Sequence, residues 1–157
     1  MGAAVTGGPL FREHGRQVAA LCWRPHGPVA EILLITSLNS GRWIIPKGWP
    51  EPELTMAESA AREAFEEAGV TGDIQSAALG AYHYLKEKRD GVVPCSVDVF
   101  VLKVTRQLND WPEKGARQMA WLPAEQAAAR VAEPGLRQIL HAFHKHQASP
   151  KARYRAG

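Results

Sequence analysis

GWPEPELTMAESAAREAFEEAGV, Gly48 to Val70, places three glutamates on one side of a short helix directly after a loop that contains a glycine. Thr55 followed three residues later by Glu58 is a capping box, in which the hydroxyl and the carboxylate each accept from a backbone N–H that the first turn leaves without a partner. Alanines fill the interior with high helix propensity, and Gly69 stands where a left-handed terminating residue belongs. The spacing predicts a helix from about Met56 to Ala68. At about 100° per residue, Ala57, Ala61, Ala64, Phe65 and Ala68 share one arc fit for packing, and Glu63, Glu66 and Glu67 share another on roughly the opposite side. Carboxylates three and four residues apart repel by roughly a few tenths of a kcal/mol per pair, so a bare acidic face weakens its own helix. A hard divalent cation relieves that repulsion, because magnesium or manganese takes oxygen ligands and bridges carboxylates to substrate phosphates.

An acidic helical face taken alone is more often simply solvated. The neighbouring residues change that balance. Arg62-Glu63, an apolar residue, any residue, Glu66-Glu67, any residue, Gly69 and apolar Val70, with Gly48 upstream, reproduce the signature helix of the Nudix hydrolases. The flanks GRQVAALCWR, EILLITS, GRWIIPKGWPEPE and WPEKGARQMAWL resemble the branch of diphosphoinositol polyphosphate phosphohydrolases and diadenosine polyphosphate hydrolases, from about Arg16 to His146. One position departs from the pattern: the family places a further glutamate where this chain has Leu54. By resemblance that glutamate serves the loop and the arginine rather than the central metal set.

The resemblance implies a metal-dependent hydrolase that cleaves a diphosphate linkage in a phosphate-rich small metabolite, of the dinucleoside polyphosphate or diphosphoinositol polyphosphate type. Its cofactor would be Mg2+, with Mn2+ as substitute. Glu63, Glu66, Glu67 and the backbone carbonyl of Gly48 are the implied metal ligands, and Arg62 would orient the carboxylates. The general base falls to Glu66 or Glu67, with Glu113 of the WPEKGAR loop as the alternative and Glu87 behind it. Arg42 and Lys47, which flank the strand leading into Gly48, are candidate phosphate contacts, since arginine binds phosphate bidentately and lysine supplies a point charge. Trp49, Arg117 and the basic hairpin with Lys86, Lys88 and Arg89 complete the surroundings, of which Trp49, Lys88, Arg89 and Arg117 are taken as substrate contacts. An RNA 5′-end pyrophosphohydrolase is the alternative enzyme, and a Nudix fold kept only as a nucleotide or phosphate sensor is the alternative outside catalysis.

The rest of the sequence fits an α/β domain. With 157 residues, 45% of them hydrophobic, the chain can bury a real core in one unit. We read 1–15 as a lead-in, 16–147 as the Nudix hydrolase domain and 148–157 as a mobile basic tail. Strand-like runs cover Gln17 to Trp23, Glu31 to Thr36, Trp43 to Ile45, Leu79 to Leu85, Ser96 to Thr105 and Gln118 to Leu122. The pair around KEKRDGVVP is antiparallel with a turn at Asp90-Gly91, and Val97 to Leu102 is apolar on both faces, as in a strand between two helical layers. Helices follow from Pro123 to about Val131 and from Pro134 to about His146, the latter with a stripe of Leu136, Ile139, Leu140 and Phe143. The expected architecture is therefore a Nudix-type α/β/α sandwich with a mixed β-sheet between helices.

Other features bound the function. Cys22 and Cys95 sit in separate apolar runs and read as buried free thiols. Trp23 and Trp43 read as core residues. His141, His144 and His146 do not share one helical face and read as solvated. A formal charge of +3 is too small to argue for a stable nucleic-acid partner. Neither a membrane-spanning stretch nor a signal peptide is visible, so the expected location is cytoplasmic, as a monomer or homodimer.

Overall fold

The computed structural model describes residues 15–148, and residues 1–14 and 149–157, most of the lead-in and of the basic tail, lie outside the described residues. Elements run in the order β1 (Arg16–His26), β2 (Val29–Thr36), β3 (Trp43–Ile44), β4 (Lys47–Gly48), α1 (Met56–Ala68), β5 (Val70–Ile74), β6 (Gly80–Lys88), β7 (Gly91–Gln107), β8 (Met119–Pro123), α2 (Ala124–Arg130) and α3 (Pro134–Ala148).

The sheet is mixed because β1 and β7 pair in parallel, Arg16 opposite Ser96 through Trp23 opposite Lys103, while the other pairings are antiparallel. The long β7 takes β1 along one edge and β6 followed by β5 along the other. In β1 the run Gln17 to Cys22 is buried without interruption, as a strand covered on both faces requires. Its alternate residues feed two cores. Ala19 and Leu21 join Ile32, Leu34, Val97, Val99 and Val101 beneath α2 and α3, where Leu136, Ile139, Leu140 and Phe143 form the expected stripe. Val18, Ala20 and Cys22 join Leu33, Ile35, Phe100 and Leu102 beneath α1. The α/β/α layering read from the sequence is thus the architecture observed.

Three details differ from expectation. The segment 86–94 is ladder rather than loop, for Lys86 pairs with Val93 and Lys88 with Gly91 across a turn at Arg89-Asp90. The Asp90-Gly91 signal placed the turn one residue too late, for Gly91 already pairs in β7 and the strands continue up to Arg89-Asp90. A second difference is β5, an added strand beside β7 that follows directly on α1. Its VTGDI sequence is apolar only at its two ends, with a glycine between two polar residues, too little alternation to announce a strand. The third concerns α1. Its buried residues are Ala57, Ser59, Ala60, Ala64, Glu67 and Ala68, whereas Ala61 and Phe65 are only partly covered. The packed stripe is therefore rotated by about 50° from the arc drawn on the sequence, toward Glu67. An all-alanine stripe lets the helix lie close to the sheet, and the close approach draws the neighbouring glutamate into the seam.

Trp23 and Trp43 are partly buried and pack against the core beneath α2 and α3, and Trp23 meets Phe143 with ring centroids 5.9 Å apart. Both cysteines are buried and neither is in a disulfide. His141 and His144 are half exposed on α3, and His141 Nδ1 lies 3.0 Å from Glu125 Oε1. Among the described residues no helix is long and apolar enough to cross a membrane.

Candidate active site

Two elements bring the acidic residues to a single place. The capping box forms as read: Glu58 N–H donates to Thr55 Oγ1 at 3.0 Å and Thr55 N–H to Glu58 Oε1 at 2.8 Å. The far end closes on Gly69, whose φ of 68° is the left-handed conformation that glycine adopts without strain. Between these caps α1 presents Glu63 and Glu67 toward β4, which is anchored on β1 by the pairs Val18–Gly48 and Ala19–Lys47. Gly48 leaves room for the Glu63 carboxyl group, which a Cβ at that position would displace.

Glu67 is the most confined of the three carboxylates, with only 9% of its side chain exposed. Lys47 N–H donates to its Oε1 at 3.1 Å, and Arg117 Nη2 lies 3.4 Å from its Oε2. Burial pushes its pKa up from 4.5 to about 8, against the opposing pull of Arg117 and with a further push from Glu63. Glu63 is also raised, first by burial and then by Glu66. Glu66 is partly covered, and its Oε2 meets Arg62 Nε at 3.4 Å, so Arg62 does engage a carboxylate of the cluster.

The loop after β7 folds over the end of α1. Trp111 lies against Gly69, where a Cβ would run into the indole, and Glu113 N–H donates to the Glu66 carbonyl at 3.1 Å. Arg117 closes the loop. Its guanidinium reaches Glu113 Oε1 at 3.0 Å and the Thr36 carbonyl at 3.0 Å as well as Glu67, and its side chain is only 8% exposed.

A cavity of about 670 Å³ opens at this place, with Lys47, Gly48, Trp49, Glu63, Glu67 and Arg117 in its walls. A second, of about 410 Å³, adjoins it and shares Lys47 and Lys86. Arg42 belongs to this second cavity, 3.8 Å from Glu133 Oε1, and not to the Gly48 cavity where the sequence had put it. The reason is local: β3 and the two residues after it carry the chain away from Arg42 before Lys47 reaches β1. Lys88 and Arg89 sit at the tip of the β6–β7 hairpin and line neither cavity, whereas Lys86, one pleat nearer the sheet, lines both. Lys86 was legible in principle, by carrying the β6 alternation up to the turn. Tyr84 and Gln17, also part of these walls, carried no signal beyond strand propensity. Trp49 is 39% exposed at the mouth of the first cavity.

The donor set around Gly48 is all oxygen, with burial, and then crowding, making Glu63 and Glu67 resist ionisation beside a glycine that carries no side chain, which suits a hard divalent cation. Among the described residues no three carboxylate, imidazole or thiolate groups already converge as a ligand cage, since Glu67 is turned to Arg117 and the Lys47 N–H.

The sequence matches the model of the NUDIX domain family over residues 13–143. Nudix hydrolase 16, mitochondrial, of Arabidopsis thaliana is 36% identical over 118 residues, 73% of this chain and 65% of the relative. Nudix hydrolase 12, mitochondrial, from the same plant is 33% identical over 117 residues, covering 72% of this chain and 58% of its own length. Diphosphoinositol polyphosphate phosphohydrolase 3-alpha of Mus musculus is 33% identical over 114 residues, 71% of this chain and 66% of that protein. The chain thus spans less than two thirds of the plant relatives. Among solved structures, a C. elegans Ap4A hydrolase binary complex superposes with a TM-score of 0.64 at 20% identity, covering 85% of this chain and 98% of that one. The NUDIX domain of Shewanella oneidensis NrtR, complexed with ADP ribose, gives 0.64 at 16% identity over 92% of this chain and 97% of its own. Those two likenesses speak for the fold. With the signature helix set against Gly48 and the family match running from residue 13 to residue 143, the chain belongs to the NUDIX domain family.

Proposed function

We propose that this chain hydrolyses a diphosphate linkage in a phosphate-rich small metabolite, a dinucleoside polyphosphate or a diphosphoinositol polyphosphate. The observation that carries the reading is the seating of Glu63 against Gly48, with Glu67 beside it, in a cavity whose other walls include Lys47, Lys86 and Arg117. Acidic and basic groups so close together suit a cation and a polyanion bound at once.

Glu63, Glu66, Glu67 and the Gly48 carbonyl would hold Mg2+, or Mn2+ in its place. Such an ion, when bound, neutralises phosphate charge and lowers the pKa of a coordinated water. The chain's own residues do the remaining work. Lys47 and Lys86 attract the phosphates into the cavity and fix their position, and Trp49 covers its mouth. Arg62 restrains Glu66, and Arg117 restrains Glu67 and Glu113. Of the two helix candidates for the base, Glu67 is tied through both oxygens and Glu66 through one, so the looser Glu66 is the better acceptor of a proton from the attacking water. Glu113 is the reserve, though the structure engages its carboxylate with Arg117.

Support for the substrate class comes from the relatives named for diphosphoinositol polyphosphates and Ap4A, and from the cations in the two adjoining cavities. A cytoplasmic location, without a stable nucleic-acid partner, belongs to the same proposal, and fractionation would test it, since several relatives are named mitochondrial or chloroplastic. The test of activity is a panel of dinucleoside polyphosphates, diphosphoinositols, nucleotide sugars, ADP-ribose and triphosphorylated RNA, with and without Mg2+. Metal-dependent cleavage fastest on the first two classes is the expected result. Cleavage of none of them with either Mg2+ or Mn2+ would refute the reading and leave a binding protein.

A further inference from the structure

Gln17 is a buried amide, 3% exposed, on a central strand whose next five residues are all apolar and buried. Burying an amide costs stability unless its hydrogen bonds are made, so its partner is informative. Tyr84 supplies it: the phenol donates to Gln17 Oε1 at 2.6 Å. Burial, and then the neighbouring Cys95, push the Tyr84 hydroxyl well above its usual range, which keeps the proton on that oxygen. The same hydroxyl, which also meets the Cys95 thiol, accepts from Lys47 Nζ at 3.0 Å. The ring adds to the hold, with the ammonium 4.6 Å from its centroid.

The ammonium so held has an unusual set of partners. Among the described residues no carboxylate lies within ion-pair distance of it, and Tyr84 uses one of its three donors. Lys47 lines both cavities, whereas Tyr84 lines the second and Gln17 the first. The three residues therefore stand on the wall where the cavities meet.

We propose that Tyr84, oriented by Gln17, is a positioning residue for Lys47, holding the ammonium at the boundary of the two cavities so that its free donors engage an anionic group of a substrate reaching from one into the other. This rests on the reading above that the cavities take a polyphosphate. An apolar residue at position 17 and a phenylalanine at position 84 would suit the core as well, so the polar chain is explained by what it does to Lys47. Buried networks of this kind specify one geometry when every member is satisfied.

The test is a double-mutant cycle on the full chain with inorganic tripolyphosphate as probe, in chelator without metal, read by titration calorimetry, alongside KM and kcat for the best substrate of the panel. Tyr84→Phe keeps the ring and removes only the hydroxyl. It should weaken tripolyphosphate binding by about tenfold and raise KM to match, with kcat within about twofold and an unchanged circular dichroism spectrum. Lys47→Met should weaken binding at least as much, and Tyr84→Phe added to Lys47→Met should do nothing further. Gln17→Leu should reproduce the Tyr84→Phe effect in part. Additive losses, an unaltered affinity in Tyr84→Phe, or no tripolyphosphate binding by the wild type would overturn this inference even if diphosphates are hydrolysed. Non-additive binding in a protein that hydrolyses nothing would uphold it and overturn the proposed activity alone.

Discussion

Glu67 is met by neighbours from two other parts of the chain, the Lys47 N–H of β4 and the Arg117 guanidinium that follows the loop after β7, and its behaviour is set by all of them. Its pKa of about 8 exceeds the ordinary 4.5, so the metal-free fold holds this proton more tightly than the unfolded chain does. The stability this gives is fully present below pH 4.5 and is lost as pH rises through about 8. Urea unfolding of chelator-treated protein from pH 5 to 9 should show that decline, and Glu67→Gln should flatten it. A parallel decline in the variant would assign the effect to other groups. Turnover in Glu67→Gln and in Glu66→Gln should fall by at least about 10²-fold, the lower end for losing a general base. Arg117, which sequence reading assigned to substrate, is committed within the structure to Glu67, Glu113 and the Thr36 carbonyl. Arg117→Met leaves a buried carboxylate unpaired and should cost about 3 kcal/mol at pH 8.5, less at pH 6 where Glu67 can take up a proton. Denaturation midpoints at the two pH values check this, and an equal loss at both would mean that packing rather than charge is what Arg117 supplies.

At the scale of the element, the two ends of α1 differ in what depends on them. The Thr55 cap is exposed and local, so Thr55→Ala should cost about 1 kcal/mol and leave the site as it is. Gly69 combines a left-handed φ with Trp111 packed where a side chain would go. Gly69→Ala should therefore cost roughly 2–4 kcal/mol, the sum of backbone strain and overpacking, and displace the loop that carries Glu113 and Arg117. Thermal unfolding together with Trp111 fluorescence distinguishes these outcomes: a shifted emission is expected in Gly69→Ala and none in Thr55→Ala. The β6–β7 hairpin teaches the same lesson about reach. Side chains two residues apart share a face, so Lys86 meets the cavities while Lys88, on the same face, is carried out to the tip.

The whole molecule divides the basic side chains proposed to meet the substrate between two cavities, which alters the expectation for Arg42 and Lys47. Lys47 borders both cavities and Arg42 only the second, across from Glu133. Lys47→Ala should raise KM for a nucleotide sugar and for a substrate with four or more phosphates alike, by about tenfold. Arg42→Ala should raise it only for the larger substrate. Steady-state kinetics on the two classes at low and high salt check this, with the Arg42 effect the more sensitive to screening because its side chain is 55% exposed. Equal effects of both variants on both substrates would argue against one ligand spanning the two cavities.

The residues themselves determined α1, its caps, the strands with clear apolar runs, the helical stripe of α3 and the acidic cluster, because each follows from contacts among residues close along the chain. Tertiary structure alone decided the rest. Which side of α1 is buried depends on how closely alanines let it approach β1, and that rotation takes Glu67 out of water. Whether Arg42 and Lys47 act together depends on where two short strands pair. Gln17, Lys47 and Tyr84 lie on β1, β4 and β6, and only the parallel pairing of β1 with β7 brings the first and last within 2.6 Å. Hydrophobic periodicity encodes which way a residue faces within its own element; which element it then meets is encoded in the order of strands across the sheet, and no local pattern carries that.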